Sequence, residues 1–186
     1  MPLPAEEFRR RAAAIKLLVL DVDGTLTDGG IVVDDCGRET KTFSVRDGFG
    51  IRCWLNAGHR AAVLSGRFSQ VVAYRCRELG IAPVIQNEPH KGPAFLKLLQ
   101  EAEVTADEVC MIGDDLPDLP LLLASGIGAA VADAEPEVRA QADWISSAAG
   151  GKGAVRQLIE ELLVAQGRWL DVVARYGRSV AQAAHS

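Results

Sequence analysis

Long apolar runs, paired cysteines and concentrated positive charge are all scarce in this sequence, and each scarcity removes a class of function. No apolar stretch approaches the ~18–20 residues that a membrane span requires, so a membrane is not an expected partner. The opening stretch, MPLPAEEFRRRAAAIKLLVLD, sets acids and arginines ahead of a short apolar run, which is not the order of a signal peptide, and the sequence reads as cytoplasmic. Cys36, Cys53, Cys76 and Cys110 stand far apart with no Cys-x-x-Cys pair, in a chain too large to need disulfide staples. Four reduced thiols are expected. Basic residues never run beyond the triplet Arg9-Arg10-Arg11, and the formal net charge is -5. Phosphate-backbone binding needs a concentrated positive surface, so nucleic acid is not an expected partner either.

What is present is globular in composition: 186 residues, 48% hydrophobic and 24% charged. That length predicts one domain, 1–186, with one core. Continuous apolar runs at 16–20 (KLLVL), 61–64 (AAVL) and 108–112 (EVCMI) have the pattern of strands buried on both faces, and 83–86, 127–131 and 144–145 are further strand candidates. Helical segments are predicted from about 5 to 14, from Asp47 towards Gly58, and through Leu79 to a stop at Gly80. Others follow at about 93–102, 119–124 and 136–141. Two short β-prone pieces around Asp34-Asp35-Cys36-Gly37 predict a hairpin at about 31–43. Strands alternating with helices indicate an α/β protein with a mainly parallel sheet and helices on both faces. No internal repeat or low-complexity linker interrupts it.

In such sheets ligands bind beyond the carboxyl ends of the strands. Three predicted strands end in polar residues there: Asp21-Val22-Asp23-Gly24-Thr25, Ser65-Gly66-Arg67 and Gly113-Asp114-Asp115. Carboxylates converging from Asp21, Asp23, Asp114 and Asp115 would repel one another and raise each other's pKa, so the cluster calls for a cation. Oxygen ligands with no histidine or cysteine among them favour a hard ion, Mg²⁺ before Ca²⁺ or Zn²⁺. A calcium loop does not fit, because the run beginning at Asp21 lacks the glutamate that closes one.

The run Asp21-Val22-Asp23-Gly24-Thr25-Leu26-Thr27-Asp28 resembles the first motif of the haloacid dehalogenase superfamily of phosphatases. Ser65, Lys91 and Gly113-Asp114-Asp115-Leu116-Pro117-Asp118 match its later motifs in order. The resemblance implies a Rossmann-like fold and a defined division of labour. Asp21 would attack phosphorus to form an aspartyl-phosphate, and Asp23 would protonate the leaving oxygen and then activate water. Mg²⁺ would be held by the Asp21 side chain, the Asp23 carbonyl and Asp114, with Asp115 and Asp118 orienting these ligands. Ser65 and Lys91 would hold the transferring phosphoryl group.

Many members of the superfamily carry a cap domain after the first motif or between the second and third. Here 28–61 holds only the hairpin and one helix, and 66–91 one helix and one strand. There is no room for a cap, so a homo-oligomer whose subunits cover each other's sites is expected. Ser44-Val45-Arg46-Asp47-Gly48-Phe49-Gly50-Ile51-Arg52, Ser65-Gly66-Arg67, Arg75-Cys76-Arg77-Glu78-Leu79-Gly80-Ile81 and Ala149-Gly150-Gly151-Lys152-Gly153-Ala154-Val155-Arg156 resemble the capless, tetrameric family of 3-deoxy-D-manno-octulosonate 8-phosphate phosphatases. That resemblance implies a sugar acid phosphate as substrate, in lipopolysaccharide sugar biosynthesis, with the hairpin helping to build a homotetramer. The implied substrate contacts are Asp23, Ser44, Val45, Arg46, Asp47, Gly48, Arg52, Arg67, Arg75 and Lys91. Arginine's planar fork suits the substrate carboxylate.

The sequence departs from the family pattern at Ser44, often asparagine, at Ser65, more often threonine, and at Pro117, where some relatives place an asparagine that touches substrate. Proline offers no donor there. The tail at about 168–186 is longer than expected, and Trp169 is predicted to pack as part of a surface helix. Two alternatives stay open from sequence: a phosphatase of a nine-carbon sugar acid 9-phosphate, and a regulatory module that accepts phosphate without hydrolysing it. The second places its acidic pair and its phosphoacceptor on different strands, whereas here Asp21 and Asp23 stand together before Gly24-Thr25.

Overall fold

All four residues of β1 (Leu17–Leu20) are buried, because this strand occupies the middle of a six-stranded parallel sheet in the computed structural model, which describes residues 2–177. β4 (Arg60–Leu64) flanks it on one side and β6 (Val109–Gly113) on the other. β5 (Val84–Ile85) lies outside β4, and β7 (Ile127–Ala130) then β8 (Trp144–Ile145) lie outside β6, giving the order β5-β4-β1-β6-β7-β8. Side chains alternate between the two faces, so each apolar run serves two cores at once. Leu18, Leu20, Ala61, Val63, Cys110 and Ile112 face one core, while Leu17, Val19, Ala62, Leu64, Val109 and Met111 face the other.

The first core is closed by α1 (Ala5–Ala12), α2 (Val45–Asn56), α3 (Gln70–Leu79) and α7 (Ala154–Ala165). The second is covered by Phe95 and Leu98 of α4 (Lys91–Glu101) and Leu121 of α5 (Leu119–Ala124). α6 (Pro136–Gln141) precedes β8, and α8 (Trp169–Tyr176) ends the described chain. α8 begins at Trp169, whose ring carries the Arg156 guanidinium 5.1 Å from its centroid, as the expected packed helix requires. The remainder of the 168–186 tail, 178–186, lies outside the described residues.

Most boundaries shift by a residue or two, and three of the corrections bear on the site. The helix expected to open at Asp47 begins at Val45, because Ser44 caps it: its Oγ accepts the Asp47 N–H at 3.2 Å. The hairpin pairs only β2 (Val32–Val33) with β3 (Glu39–Thr40), in the register Val32 to Thr40 and Val33 to Glu39. The helix expected from about 93 begins at Lys91, which brings that lysine into the first turn of α4. One element is absent from the sequence reading altogether: α7, whose Val155, Leu158, Ile159, Leu162 and Leu163 are all buried. Between β1 and β4 stand only the hairpin and α2, and no cap domain is present among the described residues. No helix there is long and apolar enough to cross a membrane, and all four cysteines are free thiols.

Candidate active site

The polar strand ends do gather at one edge of the sheet. They line a cleft of about 330 Å³ formed by Asp21, Asp23, Ser65, Arg67, Lys91, Asp114, Asp115 and Asp118, together with Gly66, Pro89 and Pro117. Asp21 follows β1 directly and stays in register with the sheet, its N–H donating to the Ile112 carbonyl at 3.1 Å. The chain then winds around the Val22 carbonyl, which accepts the N–H groups of Thr25, Leu26 and Thr27 at 3.2, 2.9 and 3.0 Å. Gly24 makes this turn at φ +89, and a Cβ on it would lie 2.0 Å from Asp114 Oδ2. Glycine here is therefore what lets the Asp114 carboxylate approach the first loop, where Thr25 Oγ1 donates to Asp114 Oδ1 at 3.1 Å.

Lys91 enters from the start of α4 with a side chain only 4% exposed. Its ammonium donates to Asp21 Oδ1 at 2.5 Å and to Asp118 Oδ1 at 2.6 Å. The other Asp118 oxygen accepts the N–H groups of Asp114 and Asp115 at 3.0 and 3.3 Å, so Asp118 ties the acidic loop to Lys91. Asp115 caps its own turn by accepting the Leu116 N–H at 2.7 Å. Ser65 Oγ accepts the Arg67 N–H at 3.3 Å and keeps its own O–H for donation.

Burial pushes Asp21 well above the usual carboxylate range, and the Asp118 charge adds to this, while Lys91 opposes it. Asp114 is pushed up to about 6, first by burial and then by Asp118. Burial pulls Lys91 down, but the charges of Asp21 and Asp118 outweigh it and leave the ammonium above its ordinary value. Oxygens of Asp21, Asp114 and Asp118 lie within 4.8 Å of one another, a set that could hold a metal ion. An all-oxygen, carboxylate-rich set fits Mg²⁺. Asp118 thus stands nearer the ion-binding group than an orienting role alone suggests, although both its oxygens are already engaged by protein donors.

A single chain does not bring all the expected substrate contacts to this cleft. Ser44, Asp47, Gly48 and Arg75 line a separate narrow recess with Leu26, Phe43 and Ile51. Asp47 is buried, and its carboxylate accepts the N–H groups of Gly153 at 3.1 Å and Arg156 at 2.8 Å, which pins the start of α7 against α2. Burial raises its pKa against the pull of those two donors. Arg75 pairs with Glu78 at 2.7 Å, Arg52 donates to the Leu79 carbonyl at 3.3 Å, and Val45 and Arg46 are exposed. Two charged residues absent from the sequence reading do reach the site from the hairpin: Glu39 and Lys41, both paired into the Asp23–Arg67 group. Glu39 opens β3 and Lys41 directly follows it, and that spacing of two, which in extended chain puts both side chains on one face, is the signal that could have found them.

The family model for haloacid dehalogenase-like hydrolases matches residues 64–158. The chain is 44% identical over 158 residues to the 3-deoxy-D-manno-octulosonate 8-phosphate phosphatase KdsC of Escherichia coli strain K12, covering 85% of this chain and 84% of that one. The crystal structure of the Moraxella catarrhalis 3-deoxy-D-manno-octulosonate 8-phosphate phosphatase, in complex with magnesium, phosphate and KDO, superimposes with a TM-score of 0.90 at 37% identity. That match covers 92% of this chain and 98% of the other. The cobalt-bound Haemophilus influenzae enzyme gives a TM-score of 0.83 at 42% identity, covering 86% and 93%. With the motif order, the cleft and these likenesses in agreement, the chain belongs to the haloacid dehalogenase-like hydrolases and, within them, to the 3-deoxy-D-manno-octulosonate 8-phosphate phosphatase family.

Proposed function

We infer that this protein is a Mg²⁺-dependent phosphomonoesterase that hydrolyses 3-deoxy-D-manno-octulosonate 8-phosphate to the free sugar acid and phosphate, in lipopolysaccharide sugar biosynthesis. The observation that carries the reading is the Lys91-bridged Asp21, which lines one cleft with Asp114 and Ser65 in a chain of an established phosphatase family. Asp21 attacks phosphorus and forms an aspartyl-phosphate, which splits one difficult displacement into two. Lys91 and the Ser65 hydroxyl receive the phosphoryl oxygens as charge develops on them. Asp23 gives a proton to the departing sugar oxygen and then takes one from the water that releases phosphate. Asp21 and Asp114, with the Asp23 carbonyl, hold Mg²⁺, which when bound offsets the repulsion between the phosphoryl oxygens and the attacking carboxylate. Asp115 and Asp118 keep these ligands in place.

The reading extends to a single cytoplasmic domain that works as a homotetramer. An open cleft without a cap supports this, as do the exposed Ile31, Val32 and Val33 of the hairpin. In such an assembly a neighbour's surface supplies the walls that one chain lacks, and Ser44, Val45, Arg46, Arg52 and Arg75 reach substrate from the assembled surface around Arg67, while the buried Asp47 and Gly48 hold the start of α2 in place. Phosphate release with Mg²⁺ from a panel tests the function: the eight-carbon acid 8-phosphate, its nine-carbon counterpart, hexose phosphates and p-nitrophenyl phosphate. A large preference for the eight-carbon acid is expected. Preference for the nine-carbon acid keeps the mechanism and changes the substrate, and no turnover of any member overturns the reading.

A further inference from the structure

Lys41 is the anomaly of the hairpin. Its side chain has no solvent exposure, whereas a lysine one residue past a two-residue strand normally carries its ammonium into water. Burying an ammonium is costly unless it is paired. Lys41 is paired twice, in a short contact with Asp23 Oδ1 and at 3.3 Å to Glu39 Oε1. Arg67 completes the ring, donating to Asp23 Oδ2 at 3.2 Å and to Glu39 Oε1 at 2.9 Å. Two cations and two carboxylates from three separate segments thus meet over the cleft, and each Asp23 oxygen has its own cation.

The two cations differ in one respect that assigns them different parts. The Arg67 side chain is 44% exposed and lines the cleft, so an anionic substrate can draw it away from Asp23. Lys41 is sealed beneath the hairpin, with Glu39 as its second partner, and stays. We propose that Lys41 is a positioning residue for Asp23: it holds one oxygen of that carboxylate in place while Arg67 turns to the substrate, so that the other oxygen meets the leaving group. Glu39 holds Lys41 in this pose. The inference rests on the role given to Asp23 under the proposed function.

Leaving-group dependence tests it. An alkoxide cannot depart without a proton, whereas p-nitrophenolate can, so a fault in proton delivery affects the first substrate and spares the second. In Lys41→Met, kcat/KM for the sugar acid phosphate should fall by about 10–100-fold, a part of the ~10²–10⁴-fold that general acid catalysis contributes, because Asp23 itself remains. For p-nitrophenyl phosphate kcat/KM should change by less than about threefold, and Lys41→Arg should recover part of the loss. Equal losses on both substrates, or no loss on either, overturn the proposal. Lys41→Gln, one atom shorter but still carrying a donor, gives the same contrast in weaker form if the methionine variant folds poorly. Asp23→Asn serves as the reference. If it too loses both substrates equally, the acid role of Asp23 fails; if it discriminates and Lys41→Met does not, only the positioning role of Lys41 fails.

Discussion

The Lys91 ammonium lies 2.5 Å from Asp21 Oδ1, and both side chains are all but sealed from solvent. A cation held this close keeps a buried carboxylate available as an anion and stands where phosphoryl charge arrives. Replacing it separates those two contributions.

Lys91→Met leaves Asp21 and Asp118 buried without their shared cation. Breaking a buried pair in this way costs about 3–5 kcal/mol, so urea unfolding in the absence of Mg²⁺ should show a loss of that order. Turnover should fall by about 10²–10³-fold, as when one preorganised donor to a transferring group is removed. A variant with near-normal turnover would remove Lys91 from the phosphoryl site.

Asp21→Asn tests the nucleophile. The amide keeps the shape of the carboxylate and cannot form the aspartyl-phosphate, so turnover should drop below about a hundredth of the parent value while the Mg²⁺-bound protein still folds. Phosphate release above that level would falsify the assignment of Asp21.

The sheet and the strand-end acids are legible in the sequence for a physical reason. A central parallel strand is buried on both faces, so β1, β4 and β6 appear as unbroken apolar runs, and the polar residue that ends each run stands at the ligand-binding edge. Asp21, Ser65 and Asp114 are found by that logic alone. α7 is not, although Val155, Leu158, Ile159, Leu162 and Leu163 recur at helical spacing, because the glycine-rich stretch before it dominates the local pattern. Lys41 is hidden for a different reason. Its burial depends on Asp23 and on Arg67, which the fold brings to it from elsewhere in the chain, and no local window contains all three. Asp47 illustrates the same limit: its buried carboxylate binds the start of α7, a contact across 106 positions to Gly153 that only the tertiary structure supplies.

The raised carboxyls fix the pH dependence of ion binding. Asp114 is pushed up to about 6 and Asp21 well above the usual range, so both bind a proton more tightly folded than unfolded. Without metal, the Asp114 contribution to stability is present in full below the unfolded value of ~4 and is lost as the pH rises through about 6, and that of Asp21 is lost in the same direction. Mg²⁺ needs the same groups ionised, so its affinity runs the opposite way. Calorimetric titration should show a Kd at pH 5 about tenfold weaker than at pH 7.5 or more, with protons released on binding near pH 6. A Kd that is flat across this range would mean that neither carboxyl is a ligand.

Gly24 and Gly58 share a backbone conformation but not a neighbourhood, which makes them a matched pair for testing how the first loop builds the ion site. Their φ angles are +89 and +88, so alanine at either position carries the same left-handed strain, about 1–2 kcal/mol. A Cβ at 58 meets nothing within 4 Å, whereas a Cβ at 24 falls 2.0 Å from Asp114 Oδ2 and 2.5 Å from its Cγ. The Asp114 carboxylate must then swing out of the loop and lose its bond from Thr25 Oγ1. Gly24→Ala should therefore weaken Mg²⁺ by about 10–100-fold, the range seen when the support of a metal ligand is removed. Gly58→Ala should lower the melting temperature through the backbone strain alone and leave Mg²⁺ affinity unchanged. Titrating phosphatase activity with Mg²⁺ in both variants reads the difference, and equal affinities would show that Asp114 does not depend on the space at Gly24 to reach the ion.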